Sequence, residues 1–216
     1  MSKSKRMANT PTHRRRWVAA WALALVGWRA ALAQAESKAA TRDPTPSQFE
    51  GPYYPTVPIP FTPYLLAQDA SADAGTPMWI TGRVLDVNGR PLSGVQIQLW
   101  QADQAGLYRH PKAPNTEKVH PSFAGFASQT TDNEGRYRFR TIIPVPYTGR
   151  VPHIHAKLLH RGQSALVTQI YLQGKEKEQG MFFSLIASLY GSRDRLVIDP
   201  VRRADGQHEA AFDFVI

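Results

Sequence analysis

Trp79-Ile80-Thr81-Gly82-Arg83-Val84-Leu85-Asp86-Val87-Asn88-Gly89-Arg90-Pro91-Leu92-Ser93-Gly94-Val95-Gln96-Ile97-Gln98-Leu99-Trp100 is the stretch on which the fold turns. Ile80 to Val87 reads as a strand, Asn88-Gly89-Arg90-Pro91 as a turn, and Val95, Ile97 and Leu99 then alternate with glutamines. Alternation by two sends apolar side chains to one face of an extended chain and polar ones to the other. An Asn-Gly pair between such runs is a strong turn signal, because both residues tolerate the backbone angles that tight turns need.

The same grammar continues downstream. Phe123 to Thr131 leads into Asp132-Asn133-Glu134-Gly135, after which Tyr137 and Phe139 alternate with arginines. Further strands are expected at His153 to His160, Ala165 to Leu172, Arg195 to Val201 and Ala211 to Val215. Many short strands separated by turns predict an all-β fold, an antiparallel β-sandwich with long loops and at most one or two short helices. Helix is expected only in Glu176 to Tyr190, where Met181, Leu185 and Leu189 recur at helical spacing; a long loop with one helical turn is the competing reading. Upstream, the prolines and aromatics from Phe49 through Pro63 predict an extended segment pinned by its side chains.

The 216 residues suit one domain, expected over residues 49–216, preceded by a leader and a linker. Residues 1–35 read as an export signal: bases through Arg16, an uncharged run from Trp17 to Trp28, then Ala31-Leu32-Ala33 and Ala33-Gln34-Ala35 as cleavage sites. Arg14-Arg15-Arg16-Trp17-Val18 resembles a twin-arginine signal, with an ordinary secretory signal as the alternative. Residues 36–48 read as a flexible linker. The expected location is therefore periplasmic or extracellular, with no stable membrane anchor once the signal is removed, since the apolar run is too short to span a bilayer.

The formal charge of +9 invites a nucleic-acid reading, but seven of the 26 bases precede the first acid, Glu36. The other 19 face 17 acids, so the charge belongs mostly to the leader and no nucleic-acid partner is expected. There is no cysteine, which excludes disulfides and thiolate ligands and leaves nitrogen and oxygen donors for any metal.

His153-Ile154-His155 places two imidazoles on one face of a strand, where they can chelate one ion; two surface histidines are the plainer alternative. An iron(II) cupin would need a carboxylate soon after, but Ala156-Lys157-Leu158-Leu159-His160 supplies none. Two tyrosines lie nearby in the pattern: Tyr147, just before Arg150, and Tyr108, which ends the run from Trp100.

The ordered set Glu50-Gly51-Pro52-Tyr53-Tyr54, Trp100 to Tyr108, Thr131-Asp132-x-x-Gly135-x-Tyr137-x-Phe139, Pro146-Tyr147, Arg150, His153-x-His155 and Thr168-Gln169 resembles the intradiol ring-cleavage dioxygenases, the protocatechuate 3,4-dioxygenase and catechol dioxygenase family. The resemblance implies a prealbumin-like sandwich and one iron(III) per chain, bound by Tyr108, Tyr147, His153 and His155. It implies a catechol-type substrate and O2, with Arg150 beside the substrate and Tyr53, Trp100, Ile154 and Gln169 at pocket positions. The family mechanism implies that Tyr147 leaves the metal and helps accept a proton as substrate binds, while Tyr108 stays. Phenolates suit this role as hard, anionic donors to a ferric ion.

Two departures bear on the transfer. The link from Tyr147 to His153 is shorter than in the protocatechuate enzymes, which leaves the ring substituents of the substrate open. The long amino-terminal helical region of catechol 1,2-dioxygenases is lacking, so a dimer built through it is not expected and a homo-oligomer of another kind stays open. Two other readings also stand: a non-enzymatic β-sandwich module of adhesin type, which the turn and core residues fit equally, and a metal site without oxygenase activity.

Overall fold

The computed structural model describes residues 41–147, 149–175 and 193–216. The expected export signal and the expected helix at 176–190 lie outside the described residues. Strand β1 (Pro77–Leu85) opens the stretch quoted above and is paired on both sides. Along one side runs β4 (Arg136–Ile142), antiparallel, from Pro77 opposite Ile142 to Arg83 opposite Arg136. Along the other run β9 (His208–Ala211) and then β10 (Phe214–Val215), both parallel to β1, with β8 (Val201–Arg202) antiparallel to β9 at the edge. The second sheet has the order β3-β2-β5-β6-β7: β3 (Phe126–Thr130), β2 (Gln96–Trp100), β5 (His153–His160), β6 (Gln163–Leu172) and β7 (Val197–Ile198).

Each predicted strand is present, with two refinements. Arg195 to Val201 and Ala211 to Val215 each resolve into parts of shorter strands, because turns and a crossing of the chain interrupt them. The antiparallel expectation holds for five pairings, while β1–β9, β1–β10 and β6–β7 are parallel, so both sheets are mixed. Parallel neighbours need a long return path; here the chain after β6 supplies it. Among the described residues the only helical pieces are two three-residue 3-10 turns, Ala72–Ala74 and Thr116–Lys118.

The two strong turns work by one device. Asp86 Oδ1 accepts the backbone N–H groups of Asn88 and Arg90, and Asp132 Oδ1 those of Glu134 and Arg136. Gly89 and Gly135 take the positive φ that closes each turn. Between the sheets lie Ile80, Val84, Ile97, Leu99, Phe139, Ile154, Ala156, Leu158, Ile170 and Phe214, all fully buried. Burial of each large side chain of this kind is worth about 1.5–3 kcal/mol.

Gly82 shows where β1 leaves no room. A Cβ there would lie 1.8 Å from the carbonyl oxygen of Phe212, which also accepts the Tyr137 hydroxyl at 2.6 Å. Residues 41–48, expected as linker, are instead fastened to the sandwich. Arg42 N donates to Val87 O, Thr45 N to Val215 O and Gln48 N to Val167 O, while Thr168 Oγ1 donates to Pro46 O. Composition marked this segment as loose, but backbone donors meeting carbonyls that the sheets leave free decide otherwise.

Candidate metal centre

His153 and His155 open β5, and strand alternation turns both rings to the outer face of the second sheet. Their Nε2 atoms are 3.1 Å apart. His153 Nδ1 donates to Val151 O at 2.6 Å, which places its proton on Nδ1 and leaves the Nε2 lone pair for the site. His155 is held from three directions. Trp100, directly opposite across β2–β5, stacks on it at 4.8 Å with planes 7° apart. Gln169 is its partner across β5–β6. Above it passes Gly51 at φ +79°, so close that a Cβ would lie 3.2 Å from His155 Cε1.

Tyr108 comes from the loop after β2, which Asp103 organises: Oδ1 accepts from Ala105 N and Leu107 N, and Oδ2 from His120 N. Tyr147 comes from a tight turn in which Tyr147 and Arg150 exchange backbone hydrogen bonds of 3.1 and 2.7 Å. Backbone packs on backbone where the two meet, since a Cβ on Gly106 would lie 2.9 Å from Tyr147 Cβ. The rings then form a closed set: Tyr108 to Tyr147 5.1 Å, Tyr147 to His153 5.5 Å, and Tyr108 to His155 6.2 Å between centroids. Tyr53 leans on Tyr108 at 4.9 Å. The Tyr108 hydroxyl and His155 Nδ1 are buried without a hydrogen-bond partner.

Electrostatics match that enclosure. Burial holds the Tyr108 phenol well above its ordinary pKa, with the neighbouring Tyr147 adding to the effect. Tyr147 is raised by burial and pulled back by the Arg150 guanidinium. Burial first, then the charge of Arg150, lowers His153 to about 3; burial and the neighbouring His153 push His155 well below the usual histidine range. All four groups are thus neutral near pH 7 until a cation enters, and a bound cation reverses the preference of the phenols.

The donor set fits a hard ion. Two nitrogens bound at about 2.1 Å to one ion, at right angles, lie roughly 3 Å apart, which is the spacing of the two Nε2 atoms. A buried phenol oxygen that lacks a partner costs stability unless something satisfies it. Among the described residues no three His, Cys, Asp or Glu gather, and the phenols of Tyr108 and Tyr147 are the oxygen donors beside the two imidazoles.

Arg150 is 4% exposed and donates through NH2 to Gln169 Oε1 at 2.6 Å, with its guanidinium 4.8 Å from the centre of the Phe49 ring. Gln169 Nε2 donates to Phe49 O at 2.7 Å, so Gln169 anchors Arg150 with both ends of its amide engaged. Trp100 presses on His155 and is itself buried. Ile154 is the correction among the pocket residues: alternation turns it to the opposite face, into the core between the sheets. Gly51, Phe49 and Tyr171 were not singled out as site residues. Tyr171 stands two places after Gln169 on β6, so the same alternation that paired the histidines was the signal for it.

A family model described as Dioxygenase (Dioxygenase_C) matches residues 49–216. The chain belongs to the intradiol ring-cleavage dioxygenase family. Members of the family typically use non-haem iron(III). It is 41% identical over 104 residues to the protocatechuate 3,4-dioxygenase beta chain of Burkholderia cepacia, covering 44% of each chain. It is 30% identical over 191 residues to hydroxyquinol 1,2-dioxygenase of Rhodococcus opacus, covering 80% of this chain and 59% of that one. Among solved structures it is similar to the dioxygenase domain of a dioxygenase–carbohydrate-binding fusion from the cellulolytic bacterium Streptomyces sp. SirexAA-E. That match has a TM-score of 0.62 and 32% identity, covering 81% of this chain and 98% of that one. The chain spans about half the length of the curated relatives it matches.

Proposed function

We propose that this intradiol-family chain is a ferric dioxygenase that cleaves a catechol-type ring between its two hydroxylated carbons. Both atoms of O2 enter the product, a muconate-type diacid. The observation that carries the reading is the convergence of two imidazole Nε2 atoms 3.1 Å apart with the rings of Tyr108 and Tyr147 beside them. Tyr108, Tyr147, His153 and His155 would hold the ion, one per chain. When bound, ferric iron would supply Lewis acidity toward a catechol's oxygens and the redox capacity that a reaction with dioxygen needs.

The residues around it have separate tasks. Tyr147, half-buried and next to Arg150, would be a phenolate while it holds the cation, and on release from it would take up a proton from a catechol hydroxyl to become a neutral phenol. Arg150 brings a fixed positive charge to the electron-rich ring and its oxygens, in a place from which water is largely excluded. Tyr53, Trp100 and the chain at Gly51 close the site and hold the ring planes. Tyr53 is also the aromatic wall against which a substrate ring would lie.

Iron content, visible colour from tyrosinate coordination, and oxygen uptake with catechol, protocatechuate and hydroxyquinol test the proposal, with product analysis for ring opening between the hydroxyls. A colourless protein that takes up no ferric ion would sink it in favour of the non-enzymatic module. A coloured protein that leaves every catechol intact would sink the oxygenase reading alone. We infer also that residues 1–35 direct export, from the order of bases, apolar run and small residues. Lysine at both Arg15 and Arg16 should strand the protein in the cytoplasm if the signal is of the twin-arginine kind, and unchanged export would point to the general route.

A further inference from the structure

Arg150 carries a charge that is buried, and a buried guanidinium keeps one position only if its N–H groups are met by fixed acceptors. One acceptor is Gln169 Oε1. That oxygen has a second donor, the Tyr171 hydroxyl at 3.0 Å, and the same hydroxyl lies 3.4 Å from Gln48 Oε1. Tyr171 is fully buried, its ring 5.9 Å from that of His153. The guanidinium of Arg193 sits against its face, 5.1 Å from the ring centre. Tyr171 thus stands between two like charges: its hydroxyl end belongs to the Arg150–Gln169 cluster and its π face to Arg193.

We propose that Tyr171 is a positioning residue, whose hydroxyl and ring fix the Arg150 guanidinium in the direction of the candidate centre and hold Arg193 away from it. The inference rests on the reading of Arg150 as the substrate-side cation. The partners explain why a tyrosine stands here. A phenylalanine would fill the same space and keep the contact to Arg193, but would leave Gln169 Oε1 to one donor and remove the polar end that faces Arg150. Gln169 and Tyr171 are neutral partners, so neither offsets the charge of Arg150 as a carboxylate in the same place would.

The test is Tyr171→Phe, alone and combined with Arg150→Ala. Iron content per chain and the visible band should stay as in the unsubstituted protein. For catechol, kcat per bound iron should fall roughly tenfold, the factor expected when a buried hydrogen bond in the cluster that holds Arg150 is lost, with KM changed little. In the Arg150→Ala background the same substitution should change kcat less than about twofold, because its effect passes through the arginine. An equal loss in both backgrounds, or a loss of iron, would overturn the proposal.

A second readout needs neither iron nor turnover. In the iron-free protein, the Arg150 Nε–H resonance in a nitrogen-15 spectrum, identified by its loss in Arg150→Ala, should shift or broaden on Tyr171→Phe. An unmoved, sharp resonance would overturn the proposal whatever the activity. If the unsubstituted protein bound iron but cleaved no catechol, the functional reading would fail while this spectrum still reported on Tyr171.

Discussion

Tyr108 makes a sharp demand among the described side chains, since its hydroxyl is fully buried and has only the neighbouring Tyr147 phenol to turn to. Replacing it with phenylalanine should leave the fold intact, because the polar atom removed makes no hydrogen bond of ordinary length, and should reduce iron per chain by roughly tenfold or more, on the order expected for loss of a ligand. Metal analysis of the purified variant checks this, and full occupancy would remove Tyr108 from the centre. The histidines give a pH dependence for the iron-free protein. His153 is lowered to about 3 by burial and by Arg150, while the unfolded chain titrates near the ordinary 6.5. Between those values the unfolded state holds the extra proton, so stability is fully present above about 6.5 and is lost as pH falls toward 3. His155, lowered for similar reasons, acts in the same direction. Urea unfolding of the metal-free protein from pH 7.5 to 4 should show the midpoint falling, and a flat profile would contradict neutral, buried imidazoles. At this scale the pairing of the two imidazoles was legible in the sequence, because His153 and His155 are alternate residues of one strand and alternation alone unites them. That Tyr108 and Tyr147 join them was implied only by resemblance, since the Asp103-centred loop and the 147–150 turn that aim them are contacts between distant residues.

Glycine positions separate what an element tolerates from what the site tolerates. At Gly82 a methyl group would run into the Phe212 carbonyl, which cannot retreat because Tyr137 is bonded to it. Gly82→Ala should therefore cost about 3 kcal/mol of unfolding free energy through overpacking. Gly94, also at positive φ but with nothing near its Cβ direction, should cost only about 1 kcal/mol through backbone strain. Chemical denaturation of the two variants compares them, and equal losses would disprove the steric account. Gly51→Ala belongs with the site: its methyl group would press on His155 Cε1, so ferric affinity should drop by at least roughly tenfold, more than stability changes suggest. Competition with a chelator measures it. Strand periodicity made β1 through β6 readable to within a few residues, and the Asp-x-x-Gly turns made their ends readable as well. The parallel direction of β9, β10 and β7 was not, because pairing direction depends on which distant edge is free and leaves no mark on strands of two to four residues.

For the whole molecule, the centre ties three separate stretches together: residues 49–54, the loop and turn that bear the tyrosines, and the strands β2, β5 and β6. An ion held by the loop, the turn and β5 would stabilise only the folded chain, by about 4 kcal/mol when its free concentration is a thousand times the dissociation constant. Removing iron should then lower the melting temperature by about 10 °C in a domain of this size. Calorimetry on loaded and chelator-treated protein decides it, and identical melting curves would mean that the ion, if bound, sits elsewhere. The two-sheet sandwich was legible from strand and turn spacing. The role of residues 41–48 was not, since a run of Thr, Pro, Ser and charge looks the same whether it is loose or tied down by backbone donors.

That tied-down segment also sets a boundary for proteolysis. Gln48 N holds Val167 O, Pro46 O receives Thr168, and Phe49 O receives the amide that steadies Arg150. A protease nibbling inward from the amino-terminal side would do little to the hydrophobic centre of the sandwich, but once past Pro46 it would unlatch the cover over His155. Ageing by such clipping should appear as fading and loss of turnover in samples that still melt cooperatively.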